Sequence, residues 1–271
     1  MPSSMKEKLA NVLHELPKED EKFDVIVQDA FPGALSNRKL LTKLVDILEK
    51  KGFYEENTLL ATSLCCDELA RKLESRLNGL YGHHFALGGL SGFPFAGFTG
   101  FAAMTAHIPD NGFCFCVYAP HVGITKDGVI GRVERKGIAL VDTCCGSAIK
   151  ASSYVYKITH GGAEISTDIQ EFTDFQQSAV NELILPHAHN LSEAKDRMVA
   201  LPFAIYETQD LLMRKIIKRG SLGLKRGIAI LGGIQINTSP ETLDYFLPLR
   251  FELINYRGEV EEDLLPLLMK E

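Results

Sequence analysis

Apolar runs of strand length alternate with amphipathic segments along most of the chain. Strands are predicted where the apolar runs lie, at residues 23–31, 57–65, 113–121 and 226–238, with two shorter ones within 128–145. Helices are predicted where apolar residues recur at helical spacing, at 4–16, 36–50, 168–184 and 192–218, and in segments opened by Asp67 and Gly146. Because such alternation is typical of layered folds, the pattern predicts a three-layer α/β fold.

Length and charge narrow the class of protein. The chain of 271 residues shows no internal repeat and no low-complexity linker, so a single domain is expected, with an N-terminal helix and linker at 1–22 and a packed tail at 239–271. The net charge of -6 argues against nucleic-acid binding. No apolar run reaches the roughly 18 residues of a membrane span. The partly acidic N-terminus is unlike a signal or transit peptide, and a cytoplasmic location without membrane contact is expected.

The positions of the cysteines in the sequence indicate a functional site. They form three local pairs: Cys65-Cys66, Cys114-x-Cys116 and Cys144-Cys145. The first and last pairs end apolar runs, and His121 directly follows the run that carries the middle pair, which we expect in the core. Disulfides are disfavoured because vicinal pairs are strained. Thiolates and an imidazole at strand ends are the ligands that zinc prefers, so a zinc site is predicted there.

Several details of such a site remain open from the residues alone. Either cysteine of each vicinal pair could bind the ion, and His83-His84 and His187-x-His189 are rival ligands in polar loops. Asp67 lies beside whatever Cys65 binds, or serves only as a helix N-cap. Arg71, one helical turn further on, is placed to hold its carboxylate.

Glycines are concentrated between Leu87 and Gly100, where we predict a loop whose backbone passes close to another group. The segment lacks the Gly-Lys-Ser/Thr ending of a phosphate-binding loop, which disfavours nucleotide binding. A wall of the metal pocket or a dimer contact is the better interpretation.

Six motifs, in this order, resemble one family: SLCCDE, GGLSGFPFAGFTG, AHIPDNG, YAPHVGI, CCGSA and ILGGIQINT. The family is that of the limiting-CO2-inducible B/C proteins, whose active members are theta-class carbonic anhydrases. The resemblance covers roughly residues 23–240. It implies a fold similar to that of beta-class carbonic anhydrases, that is, a single α/β domain with a mixed central sheet flanked by helices. It also implies a homodimer.

The resemblance also assigns site residues. The zinc ligands that it implies are Cys65, His121 and Cys145, and the aspartate of its motif is Asp67. Beta-class enzymes carry an arginine four residues after the first cysteine, a position that is Leu69 here. The arginine partner of Asp67 is therefore expected elsewhere, with Arg71 as the first candidate and Arg38 as the second.

These residues together predict reversible hydration of CO2 to bicarbonate by a zinc-bound hydroxide. Asp67, oriented by an arginine, would accept a hydrogen bond from the bound water, and His107 is a candidate proton shuttle. The apolar wall for CO2 is expected from four phenylalanines: Phe93, Phe95, Phe98 and Phe101.

Three alternatives stay open. Asp67 could itself bind zinc and close the site. The chain could be a non-catalytic zinc-binding homologue that binds a partner or senses CO2 or bicarbonate. It could also be a zinc hydrolase with Glu68 as general base.

Overall fold

A mixed β-sheet forms the centre of the computed structural model, which describes residues 5–161 and 172–270. The strands are β1 (Leu35–Ser36), β2 (Thr58–Ser63), β3 (His84–Ala86), β4 (Phe113–Tyr118), β5 (His121–Gly123), β6 (Arg132–Val133), β7 (Asp142–Thr143), β8 (Gly227–Asn237), β9 (Tyr245–Asn255) and β10 (Val260–Asp263). The helices are α1 (Met5–His14), α2 (Glu21–Ala30), α3 (Asn37–Lys50), α4 (Glu68–Tyr81), α5 (Gly97–Thr105), α6 (Gly146–Thr159), α7 (Phe175–Ile184), α8 (Ala188–Glu193), α9 (Arg197–Gly220) and α10 (Leu265–Met269). The predicted α/β fold with a mixed sheet is confirmed.

The strands follow the order β1-β9-β8-β4-β2-β3. β3, β2, β4 and β8 are parallel, whereas β9 runs antiparallel to β8 and pairs with β1 and β10. β5 continues the parallel arrangement beside the end of β8. β6 and β7 form a separate antiparallel hairpin. Because β2, β4 and β8 are parallel neighbours, their carboxyl ends meet at one edge of the sheet.

Helices cover both faces of the sheet and bury it. Side chains that alternate along a strand point to opposite faces, so Leu60 packs in the core beneath α1, α3 and α4, whereas Leu59 packs toward α5 and α9. Cys114 and Cys116 are fully buried on this second face, as predicted. Burial on both faces explains why these strands are continuous apolar runs in the sequence.

Residues 23–30 lie in helix α2, so the strand predicted at 23–31 is wrong. The side chain of Asp20 caps the helix by accepting hydrogen bonds from the backbone N–H groups of Lys22 and Phe23, at 3.0 and 3.3 Å. Phe23 and Val27, one turn apart, are both buried. An apolar run of this length fits either a strand or a short helix, and here the cap and the burial of one face favour the helix.

The glycine-rich segment is partly helical, because α5 begins within it. Its first half does pass close to other backbone. A Cβ atom on Gly88 would lie 2.3 Å from the carbonyl oxygen of Leu64, and one on Gly92 would lie 2.4 Å from that of Ala119. These contacts press the loop against the carboxyl ends of β2 and β4. Only glycine permits such an approach.

Two further predictions need correction. The segment expected as a tail at 239–271 instead supplies β9, an eleven-residue strand hydrogen-bonded along β8. The helix predicted at 192–218 is divided, with Asp196 capping α9 through the N–H groups of Met198 and Val199. The helix predicted at 168–184 is seen as α7, and its residues 168–171 lie outside the described part of the chain.

Over the described residues, no helix has both the length and the apolar character needed to cross a bilayer.

Candidate metal centre

Three buried side chains with metal-binding atoms meet at one edge of the sheet. Cys65 lies just beyond the end of β2, His121 opens β5, and Cys145 precedes α6 as its N-cap residue. The two Sγ atoms are 3.9 Å apart, and both lie within 4.8 Å of a ring nitrogen of His121. β2 and β4 are parallel neighbours, so Cys65 and His121 follow strands that end at the same edge of the sheet. Cys145 follows β7 of the separate hairpin, which is joined to β5 by a hydrogen bond from the N–H of Gly123 to the carbonyl oxygen of Cys144 at 3.0 Å.

Asn237 determines which nitrogen of His121 is free to bind an ion. Its Nδ2 donates to the carbonyl oxygen of Leu69 at 3.2 Å, so its Oδ1 faces Nδ1 of His121 at 2.9 Å and accepts a hydrogen bond. Nε2 of His121 is buried and has no hydrogen-bond partner within the described residues. A buried polar atom without a partner is costly, and an imidazole held at its other nitrogen is typical of a metal ligand. The donor set therefore fits zinc.

Only one sulfur of each vicinal pair joins the cluster. The side chain of Cys66 is exposed. Cys144 is buried, but its Sγ lies 3.3 Å from Nδ1 of His121, on the side of the ring that faces Asn237. The geometry thus groups Cys65 and Cys145 with His121.

The electrostatics of the centre favour a cation. A hydrogen bond to Cys145, with burial, raises the pKa of Cys65 to about 12. The same hydrogen bond outweighs burial at Cys145 and lowers the pKa of that thiol well below its ordinary value. Burial disfavours a charged His121, yet the neighbouring sulfurs of Cys144 and Cys145 raise its pKa well above the usual range. Negative charge is therefore concentrated on Cys145, and a divalent metal competes with protons for such sulfurs.

Asp67 is held by an arginine that the sequence did not single out. Nη1 and Nη2 of Arg135 donate to the two carboxylate oxygens of Asp67 at 3.2 and 3.0 Å. Asp67 also caps α4 by accepting from the N–H of Leu69 at 3.0 Å. Burial alone would raise the pKa of Asp67, but the hydrogen bonds from Arg135 and Leu69 and the charge of His121 lower it to about 2. The carboxylate is therefore ionised at neutral pH.

The two arginines expected beside Asp67 lie elsewhere. Nη2 of Arg71 is 2.8 Å from Oε1 of Glu74, one turn along the same helix. Arg38 donates to the carbonyl oxygens of Leu16 and Pro17 at 3.3 and 3.2 Å. Arg71, one turn along α4, stays on the helix surface. Arg135 reaches Asp67 because the β6–β7 hairpin that carries it folds back over the start of α4.

Arg135 was missed because it is distant in the sequence from Asp67 and stands in no motif. It also pairs with Glu68, whose side chain is 69% exposed, and its Nε lies 3.6 Å from Oδ2 of Asp142. Glu68 thus points toward solvent and Arg135 rather than serving as a base inside the centre.

The other histidines named from the sequence are not part of this cluster. His107 is exposed on the connection that enters β4, and its ring lies 5.7 Å from that of Phe85. Its role as a proton shuttle stays a prediction. Nε2 of His84 lies 2.7 Å from Oγ1 of Thr62, and Nε2 of His187 lies 2.8 Å from Oγ1 of Thr208. His83 and His189 are likewise outside the metal-binding group of the described residues.

Two of the four expected phenylalanines lie near the centre. Phe93 is buried in the same apolar cluster as Cys65 and Cys145, with Phe95 packed against it. Phe98 instead lies beneath the guanidinium of Arg219, whose Cζ is 4.0 Å from the centre of the Phe98 ring. Phe101 packs in the core between the sheet and α9. A small cavity beside the ligands is lined chiefly by apolar side chains: Val122, Ala148, Ile149, Met198, Leu201 and Ile205.

The chain is similar to known proteins over most of its length. The profile of the limiting CO2-inducible proteins B/C beta carbonic anhydrases matches residues 34–255. A crystal structure of PtLCIB4, described as a homolog of the limiting CO2-inducible protein LCIB, shares 41% identity with a TM-score of 0.83, covering 88% of this chain and 98% of that one. The crystal structure of a histidine-to-alanine mutant of PtLCIB4 shares 41% identity with a TM-score of 0.84, covering 89% of this chain and 98% of that one.

The crystal structure of LCIB itself shares 16% identity with a TM-score of 0.66, covering 86% of this chain and 94% of that one, which supports the fold alone. None of the curated proteins compared with the chain matches it. The profile match spans far more than half of the sequence, and the PtLCIB4 likeness extends to nearly all of that protein. This chain belongs to the family of limiting CO2-inducible proteins B/C beta carbonic anhydrases.

Proposed function

We propose that the chain is a zinc-dependent carbonic anhydrase that interconverts CO2 and bicarbonate. The observation that carries the proposal is the buried group of Cys65, His121 and Cys145, in which Nε2 of His121 has no partner within the described residues. These three side chains would hold the ion. Zinc bound by three protein ligands lowers the pKa of water to near 7 and so supplies a nucleophile at neutral pH.

In this proposal Asp67 orients the attacking water, and Arg135 holds the Asp67 carboxylate in place. The carboxylate lies two residues after Cys65, stays ionised, and is fixed by two hydrogen bonds from Arg135 and one from Leu69. It can accept a hydrogen bond from a water that attacks CO2 and keep that water oriented. The same hydrogen bonds oppose the closed alternative, because Asp67 would have to leave Arg135 in order to bind zinc.

The apolar surroundings suit a small substrate without charge. Phe93 and the cavity beside His121 and Cys145 offer carbon surface, which favours CO2 over a hydrated ion. Excluding water from this side also strengthens the electrostatic effect of the charged groups. A hydrolase with Glu68 as base is not favoured, because Glu68 faces solvent.

The test is stopped-flow CO2 hydration on purified protein, with zinc measured on the same sample. We expect about one zinc per chain, and activity that disappears together with zinc in Cys65→Ala. The matched control is Cys66→Ala, which removes the neighbouring exposed thiol and should retain both. Zinc without hydration over a range of pH would instead support a non-catalytic homologue. Loss of zinc in Cys66→Ala with retention in Cys65→Ala would refute the ligand assignment.

Three further expectations come from the sequence. We propose that the protein is a homodimer, as the resemblance implies, and light scattering coupled to gel filtration tests this directly. A single-domain organisation and a cytoplasmic location stay predictions.

A further inference from the structure

Ser91 adopts a backbone conformation that is unusual for serine, directly beside the metal ligands. Its φ and ψ angles are 55° and 13°, in the left-handed region, and the residue is fully buried. Residues other than glycine seldom adopt this conformation, and those that do are concentrated at functional sites. The side chain is therefore the feature to explain, since glycine would serve the turn with less strain.

The Ser91 hydroxyl lies between a proposed ligand and a second hydroxyl. Its Oγ is 3.8 Å from Sγ of Cys145 and 3.1 Å from Oγ of Ser147. As arranged here, Ser91 donates to Ser147, and either atom of the Ser91–Cys145 contact can donate. A sulfur that binds a metal ion is a thiolate and can only accept. Rotation of both hydroxyls then gives a continuous run of hydrogen bonds, in which Ser147 donates to Ser91 and Ser91 donates to Cys145.

The turn that carries Ser91 is fixed on both sides. The N–H of Leu90 donates to Oε1 of Gln176 at 3.0 Å, which ties the turn to α7. The carbonyl oxygen of Gly92 accepts from Oγ of Ser63 at 2.8 Å and also from the buried side chain of Gln209. Because the turn is held from α7, β2 and α9, the hydroxyl has a defined position next to Cys145.

We infer that Ser91 is a positioning residue of the metal centre, whose hydroxyl donates a hydrogen bond to the Cys145 thiolate with support from Ser147. The inference rests on the proposed zinc site. Two thiolates give much negative charge to a divalent ion and so weaken it as a Lewis acid. A hydrogen bond to one sulfur withdraws part of that charge, as contacts around a metal site commonly do.

The experiment replaces zinc with Co²⁺ and records the sulfur-to-cobalt charge-transfer absorption of wild type, Ser91→Ala and Ser91→Gly. Loss of the hydrogen bond raises the energy of the sulfur electrons, so the band should move to longer wavelength in both variants. The shift of the band should be smaller in Ser147→Ala than in the two Ser91 variants. In the zinc-loaded proteins, hydration should fall by roughly 10–100-fold in both Ser91 variants. Ser153→Ala is the control, since that side chain is exposed and its hydroxyl donates to the carbonyl oxygen of Ile149 on the same helix.

The outcomes separate this inference from the proposed function. If wild-type protein shows no charge-transfer band with Co²⁺, the metal centre itself is refuted. If wild type shows the band and it is unmoved in both Ser91 variants, the centre stands and the inference is overturned. A band that moves in Ser91→Ala but not in Ser91→Gly would also overturn it, because backbone strain rather than the hydroxyl would then be the cause.

Discussion

At the scale of single residues, the centre depends on side chains that hold the ligands as much as on the ligands themselves. Asn237 connects the ring of His121 to the backbone at the start of α4, and Arg135 connects Asp67 to the hairpin. The meeting of Cys65, His121 and Cys145 could be predicted from the sequence, because cysteine and histidine at strand ends are informative and the motifs are specific. Their supporting residues could not, because an asparagine or arginine gains this role only when distant segments meet.

Replacing Asn237 by alanine should weaken zinc binding by roughly 10–100-fold, because His121 then loses the acceptor that fixes its proton on Nδ1. The measurement is zinc affinity by competition with a chelator, with thermal unfolding to show that the fold persists. Asn78→Ala, a change at an exposed side chain on α4, should leave affinity unchanged. Equal affinities in Asn237→Ala and wild type would refute the role.

Replacing Arg135 by alanine should lower CO2 hydration by roughly 10–100-fold while zinc content stays near that of wild type. The reason is that the Asp67 carboxylate loses the two hydrogen bonds from Arg135 and keeps the one from the N–H of Leu69. Arg71→Ala is the matched control, because Arg71 pairs with Glu74 instead. The assignment of the partner fails if Arg71→Ala lowers the rate and Arg135→Ala does not.

At the scale of elements, the buried parallel strands were predictable, whereas the bounds of the short elements were not. β2, β4 and β8 are continuous apolar runs because helices cover both faces, so their sequences carry a clear pattern. The pattern at 23–31 predicts a strand where α2 forms, because nine mostly apolar residues fit both the strand period and the helix period. The two shorter strands expected within 128–145 are seen as β6 and β7, but each has only two residues, too few for a pattern to define its bounds.

The glycines give a prediction at this scale. Gly88→Ala should lower the free energy of unfolding by about 1–3 kcal/mol, because the new Cβ meets the backbone of Leu64 at the end of β2. Gly79→Ala is the matched change within α4, where the Cβ would make an ordinary 3.6 Å contact with Val12. It should raise the free energy of unfolding by about 0.5–1 kcal/mol. Urea denaturation measures both, and destabilisation of equal size would contradict this account of the loop.

At the scale of the whole molecule, α9 is joined to the sheet by a partly buried ionic cluster. Asp210 accepts hydrogen bonds from Tyr118 on β4, from Arg250 on β9 and from Arg214. Arg250 is in turn paired with Glu252 at 2.6 Å. The cluster brings together three segments far apart in the sequence, which is why no local pattern revealed it.

This cluster predicts how stability depends on acid. Burial would raise the pKa of Asp210, but the hydrogen bonds from Tyr118 and Arg214 and the charge of Arg250 lower it. A lowered folded-state pKa adds stability above the unfolded value of about 3.9, and that stability is lost as pH falls through the folded-state pKa. Asp210→Asn should therefore be less stable than wild type at pH 7, and the difference should narrow below about pH 4. A difference that is constant from pH 7 to pH 3 in urea denaturation would rule out this ionic contribution.

The central claim is that CO2 hydration depends on one zinc ion held by Cys65, His121 and Cys145. The most direct test removes metal with a chelator, restores zinc stepwise, and measures the hydration rate at each step. We predict a rate that rises in proportion to bound zinc and stops rising at one ion per chain. A rate that stays at the uncatalysed value when zinc reaches one per chain would contradict the account.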